Sequence, residues 1–189
     1  MPRPRIYLAG PEVFLPEPIE AGRRKCALAA EVGLEGVYPL DNALPLAGLS
    51  KPEQATLISR SNEELMRTCD AAIANLTPFR GASADSGTAF EVGYFRALGR
   101  PVLGYTNTDL DYVPRAKAVR ALPRLAFDSD GVGVEIEDFD LAENLMIEFA
   151  IEASGSRLIR HRAAAGAEMT DLAGFVLCLA EARRLLAPS

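Results

Sequence analysis

Four short β-prone runs, separated by stretches of helical spacing, constrain this chain more than any other feature. Arg5–Ala9 stops at Gly10-Pro11, Glu35–Leu40 closes at Asp41-Asn42, Asp70–Leu76 leads into a loop containing Gly81, and Pro101–Tyr105 follows Gly99. The third run is apolar after its first residue, as in a strand buried on both faces. Between the runs, Pro18 stands near a helix start, and Ile19, Cys26 and Ala29 or Ala30 keep helical spacing until Gly33. Ile58, Ser61/Asn62, Leu65 and Cys69 mark a second helix face, and a third helix is expected from about Gly87 to Leu98. This alternation predicts the α/β class: an open, mostly parallel, flavodoxin- or Rossmann-like sheet with helices on both faces.

Beyond Tyr105 the pattern weakens. Residues 106–139 read as irregular, with a short helix near Arg115–Leu122, and Leu141, Leu145, Glu148/Phe149 and Glu152 suggest another helix. Leu172, Phe175, Val176 and Leu179 form the apolar stripe of a final helix, with Thr170 or Asp171 as its cap. The expected organisation is one domain, its main part at 1–154 and a helical extension at 155–189.

Composition removes several classes of function. Hydrophobic residues make up 49% and charged residues 24%, which is globular rather than disordered. Acidic residues outnumber basic ones, 26 to 20, and the basic ones are scattered, so nothing marks a nucleic-acid binder. No apolar run is long enough to span a membrane and no export signal is visible, so a cytoplasmic protein is expected. Cys26, Cys69 and Cys178 are widely spaced, and His161 is the single histidine. That count fits neither a disulfide framework nor a zinc site. The chemistry of such a chain falls to carboxylates, with no metal and no cofactor.

Ligands of open α/β sheets sit at the carboxyl ends of the strands. The polar residues expected there are Gly10-Pro11-Glu12 after the first strand, Asp41-Asn42 after the second, and Asp85-Ser86-Gly87-Thr88 after the third, with Glu91 in the following helix. A carboxylate near a helix N-terminus is favoured in its ionised form. Rigidly held, it suits attack on an anomeric carbon, and Tyr7 is placed to orient it.

Ile6-Tyr7-Leu8-Ala9-Gly10, Pro39-Leu40-Asp41-Asn42, Asp70, Asp85-Ser86-Gly87-Thr88-Ala89-Phe90-Glu91-Val92-Gly93 and Asn144-Leu145-Met146, in this order, resemble the nucleoside 2-deoxyribosyltransferase family. The resemblance implies exchange of the base on 2′-deoxyribonucleosides, in nucleotide salvage, through a covalent deoxyribosyl-glutamate. It matches Glu91 to the nucleophile, Tyr7 to the tyrosine that orients it, and Asp70 to an acid near the base. It matches Asp85 to a residue holding the 3′ side of the sugar, with Ser86 and Gly87 beside it. Asp41 and Asn42 match the base-binding end, Gly10 and Phe14 belong to the first loop, and Phe14 can stack on a base. Asn144 and Met146 match residues that reach the 5′ side from a neighbouring subunit, which implies a homo-oligomer, dimeric or dimer-based, with shared sites. Ala43 stands where some members carry a base-contacting glutamine, so the bases accepted do not transfer. The implied partners are deoxyribonucleosides and free nucleobases.

Two rival readings stand beside this one. A hydrolase of the same superfamily, cleaving deoxynucleoside 5′-monophosphates, needs donors for a phosphate, and the first loop carries Glu12 instead. A non-catalytic nucleotide-binding regulatory domain could use the same sheet, but has no use for a carboxylate aimed at C1′.

Overall fold

The computed structural model describes residues 2–41, 43–120 and 135–187. Strands β1 (Arg5–Ala9), β2 (Glu35–Val37), β3 (Ala71–Asn75), β4 (Val102–Thr106) and β5 (Ile159–Arg160) form a five-stranded sheet in the order β2-β1-β3-β4-β5. All four pairings are parallel, with Tyr7 opposite Val37 on one side and Ala72 on the other. This is the doubly wound order whose direction of winding reverses between β1 and β3, so a crevice opens at the carboxyl ends of those two strands.

The helices are α1 (Pro18–Glu31), α2 (Lys51–Arg67), α3 (Ser86–Ala97), α4 (Tyr112–Arg120), α5 (Leu145–Glu152) and α6 (Ala173–Leu185). They are expected from the periodicity, and their starts have local causes. Proline stands in the first turn of α1 and of α2, and Glu53 accepts the Ser50 N–H at 2.8 Å in a capping box on α2. Asp171 Oδ1 accepts the Ala173 N–H at 2.8 Å from one residue before the cap of α6, a position that Leu172 holds in place of the expected Thr170 or Asp171.

Side chains alternate across the sheet with the period of two that strands impose. Tyr7, Ala72, Ala74 and Val102 face α2, α3 and α5, where Met66, Val92, Phe95 and Ile151 close one core. Ile6, Leu8, Ile73, Leu103 and Tyr105 face α1 and α6, where Ala29, Phe175, Cys178 and Leu179 close the other. Each fully buried Leu, Ile or Phe among these contributes roughly 1.5–3 kcal/mol of burial.

The expected second strand is shorter than its β-prone run, because Pro39–Asp41 turns into 3-10 geometry. The tail also contains a strand that periodicity missed. β5 has only two residues, and it pairs Ile159 with Tyr105 and Arg160 with Thr106. His161 is half-buried, with Nε2 3.1 Å from Asp171 Oδ2.

Candidate active site

Tyr7 is fully buried in the middle of β1 and points toward α3, its ring 5.7 Å from that of Phe95. Its hydroxyl donates to Glu91 Oε1 at 2.7 Å. Glu91 is partly buried, and desolvation pushes its carboxyl up to about 7. The Tyr7 hydrogen bond lowers it, while the negative charges of Asp85 and Glu12 raise it further. The expected support from the helix N-terminus is absent. Asp85 caps α3 itself, its Oδ2 accepting from Gly87 N at 3.0 Å and Thr88 N at 3.3 Å, and the dipole effect does not extend to the second turn, where Glu91 lies. A side chain at Gly87 would put its Cβ 2.9 Å from Asp85 Oδ2, which explains glycine two residues after the aspartate.

The other expected residues fall into three groups. Gly10, Phe14, Ser86 and Gly87 lie at the carboxyl edge with Glu91. Phe14 is stacked on Phe79 with ring centroids 5.4 Å apart, and the Arg80 guanidinium covers both rings at 4.7 and 4.5 Å. Asp41 closes the turn after β2 by accepting the Tyr38 N–H at 3.0 Å, and Asn42 lies outside the described residues. Asn144 caps α5, with Oδ1 accepting from Met146 N at 3.0 Å and Nδ2 donating to Glu137 at 3.2 Å. Met146 is 73% exposed on α5, and Phe149 on the same helix and Phe90 on the adjacent α3 are exposed as well.

Asp70 is a correction. It precedes β3 at the amino edge of the sheet, where its Oδ2 accepts the Arg5 N–H at 2.7 Å and its own N–H donates to Arg5 O. A strand of five residues separates that edge from the crevice, about 17 Å at the usual rise. Asp70 therefore closes the β1–β3 ladder and cannot protonate a base beside Glu91 of its own chain. On the crevice side, α2 instead carries half-buried Ser61 and Asn62, one turn before buried Met66. The helix runs back against the strands, so that turn lies nearer the carboxyl edge.

Two networks went unread in the sequence. Glu12 is buried in an ion pair with Lys25. Glu143 is buried where the loop before α3 meets the loop before α5. It accepts from the Ser83 hydroxyl, from Ala84 N at 3.0 Å and from Asn144 N at 3.0 Å. Arg115 lies 3.4 Å from it and also binds the carbonyls of Ala82 and Ala142. One carboxylate thus grips both the Asp85 loop and the Asn144 cap. Among the described residues no cluster could hold a metal ion, and no helix is long and apolar enough to cross a membrane.

A partly buried carboxylate held by a phenol lies at the reversal point of a doubly wound sheet. The family model for nucleoside 2-deoxyribosyltransferase matches residues 6–146. The chain belongs to this family. It is 34% identical to the uncharacterized protein C191.05c of Schizosaccharomyces pombe over 168 residues, which covers 80% of this chain and 79% of that one. A 2-desoxiribosyltransferase from Leishmania mexicana superposes with a TM-score of 0.62 at 30% identity, over 92% of this chain and 97% of the other. A 2-deoxyribosyltransferase from Bacillus psychrosaccharolyticus shares the fold at 22% identity and a TM-score of 0.51, over 78% and 82% of the two chains. The family match ends at the first turn of α5, so β5 and α6 lie outside it.

Proposed function

We infer that this chain exchanges the base of 2′-deoxyribonucleosides by a retaining double displacement on Glu91. The observation that carries the reading is the 2.7 Å bond from Tyr7 to Glu91 at the carboxyl edge of β1. In the first step a Glu91 oxygen forms a bond to C1′ as the C1′–N bond breaks, and its electron pair leaves with the base. In the second, a ring nitrogen of the incoming base attacks C1′ from the face the first base left, and the carboxylate is released. Two inversions give retention. The buried carboxyl is basic for a glutamate, and the positive charge that develops at C1′ favours its ionised form. A deoxyribose reaches the oxocarbenium-like state more readily than a ribose, because no electron-withdrawing oxygen adjoins C1′.

Asp85 supports nucleosides over 5′-monophosphates as substrates. The first N–H groups of a helix are a ready phosphate site, but here the Asp85 carboxylate already occupies those of α3. A dianion placed there would meet that negative charge. The Oδ1 of Asp85 remains to hold a sugar hydroxyl. Asn144 and exposed Met146 are read as completing the site of a neighbouring copy, in a cytoplasmic homo-oligomer that serves nucleotide salvage.

The test is an incubation of one deoxyribonucleoside with and without a second free base, in wild type and Glu91→Ala. The wild type should form the new nucleoside only when the second base is present, and without it should gain the mass of one deoxyribosyl unit on Glu91. Hydrolysis of a 5′-monophosphate at comparable rates would favour the glycosidase reading. Full activity in Glu91→Ala would overturn the mechanism.

A further inference from the structure

The loop before α3 and the loop before α5 meet over one carboxylate, that of Glu143, which is 1% exposed. Its Oε1 accepts from the Ser83 hydroxyl and from Asn144 N at 3.0 Å. Its Oε2 accepts from Ala84 N at 3.0 Å and from an Arg115 N–H at 3.4 Å. A carboxylate offers about four acceptor positions, and each oxygen here has two donors. Arg115, itself buried on α4, repeats the link by donating to Ala82 O at 2.8 Å and to Ala142 O at 2.6 Å. Ser83 and Glu143, 60 positions apart in the chain, are thereby held side by side.

What sets this bridge apart from ordinary loop closure is where it holds. Ala84 directly precedes Asp85, and the peptide between them is planar, so the held N–H fixes Asp85 from one side. The Asp85 carboxylate fixes it from the other, by capping α3 through Gly87 N and Thr88 N. Asn144 is held by its own N–H on Glu143, by Met146 N on its Oδ1 and by Glu137 on its Nδ2. Apart from Arg115, every donor to Glu143 is Asn144 itself or lies within two residues of Asp85. The bridge needs acceptor oxygens rather than net charge, so its pairing with Arg115 does not weaken it.

We propose that Glu143 is a positioning residue for the transfer: it sets the Asp85 loop and the Asn144 cap of one chain in register, and so places the groups that hold the 3′- and 5′-hydroxyls of the deoxyribose. This rests on Asp85 and Asn144 contacting the sugar, as read above. Because Asn144 is read as serving the neighbouring copy, the same carboxylate lies between two sites. Its loss disturbs the 3′ side of one and the 5′ side of the next. Glutamine cannot replace it, because an amide has one oxygen and an NH₂ that only donates. Whichever way it turns, that NH₂ faces a backbone N–H, of Ala84 or of Asn144, and one of the two loops is released. A sugar misplaced by about 1 Å costs up to about 10²-fold in rate.

The test measures kcat/KM for a 2′-deoxyribonucleoside, its 2′,3′-dideoxy analogue and its 2′,5′-dideoxy analogue with one acceptor base, in wild type, Glu143→Gln and Ser83→Ala. Glu143→Gln should lose about tenfold on the full substrate and at most about threefold on each analogue, which lacks one of the two hydroxyls being placed. Ser83→Ala removes one donor on the Asp85 side and leaves the backbone bonds in place, so it tests the link even where Glu143→Gln does not fold. It should lose about threefold on the full substrate and on the 2′,5′-dideoxy analogue, and nothing on the 2′,3′-dideoxy analogue. An equal loss on all three substrates, or no loss, overturns the proposal, since a merely structural residue lowers activity whichever hydroxyl is present. A wild type that takes both analogues as readily as the full substrate overturns the reading of Asp85 and Asn144 beneath the proposal, and the proposal with it. That failure shows in the wild type alone, so the two are distinct.

Discussion

Two acidic side chains follow the carboxyl ends of strands, Glu12 in the turn after β1 and Glu91 in the second turn of α3, and the fold treats them in opposite ways. Glu12 is surrounded by an ammonium, an amide and a phenol, all on one oxygen. Among the described residues Glu91 has a single phenol, no cation, and two other carboxylates that raise its proton affinity. The first is compensated and structural in its contacts. The second is left under-compensated, which is what a nucleophile requires, because charge fully satisfied in the ground state is not available to an electrophile. The difference teaches where the site lies more directly than burial does, since Glu12, the more deeply buried of the two, is the compensated one.

Removing the cation should have the largest effect. Lys25→Met leaves the Glu12 carboxylate buried without its counter-charge, and the expected loss is about 3–5 kcal/mol in denaturant unfolding at neutral pH. Adding Glu12→Gln should recover most of it. A loss below about 1 kcal/mol for Lys25→Met alone would break the comparison, because Glu12 would then not be the paired anion described.

Glu91→Gln should act in the other direction. Folding raises the Glu91 carboxyl from its usual 4.5 to about 7, so between those values the folded state binds the proton more tightly than the unfolded one. The stability this gives is fully present below pH 4.5 and is lost as pH rises through 7. The glutamine variant does not titrate. At pH 8 it should be more stable than wild type by up to about 3 kcal/mol, a gap that narrows toward pH 4. Parallel unfolding curves at the two pH values check this, and a gap independent of pH would mean that Glu91 is not strained by burial.

Tyr7→Phe probes the one side-chain donor to Glu91 among the described residues. The phenol favours the ionised carboxylate, so its loss should move the acidic limb of kcat up by about one pH unit and lower turnover at pH 7 about fivefold. A limb that moves down would reverse the sign assigned to this bond.

The sequence places both carboxylates after strands but shows the local partners of only one, for a physical reason. Asp85, Gly87 and Glu91 lie within two turns of a helix, and local geometry ties them: the aspartate caps the helix, the glycine makes room for its oxygen, and the glutamate follows on the inner face. Short-range constraint leaves a short-range pattern. Glu12 depends on Lys25 from α1, Asn75 from β3 and Tyr105 from β4, contacts that only the order of strands creates. Glu143 depends in the same way on Ser83 and Arg115. The parallel sheet was legible through its apolar runs. The two-residue β5 was not, because its length carries no period and its pairing with β4 is what makes it a strand.

The place of Asp70 is also legible, from the polarity of its strand. A residue that opens a buried strand lies at its amino end, and ligands of these sheets bind at the carboxyl ends. Its Oδ2 accepts a single backbone N–H, that of Arg5, and asparagine can accept the same bond through its amide oxygen. Asp70→Asn should therefore cost no more than about 1 kcal/mol of stability. It should leave kcat/KM within about twofold for deoxyribonucleosides whose bases leave readily and for those whose bases need protonation. The informative measurement is the ratio between the two substrates. A general acid contributes typically 10²–10⁴-fold where the leaving group needs its proton, so a selective loss of that size on the poorer leaving group would put Asp70 back in an active site. The amino edge of one chain would then have to face the crevice of another.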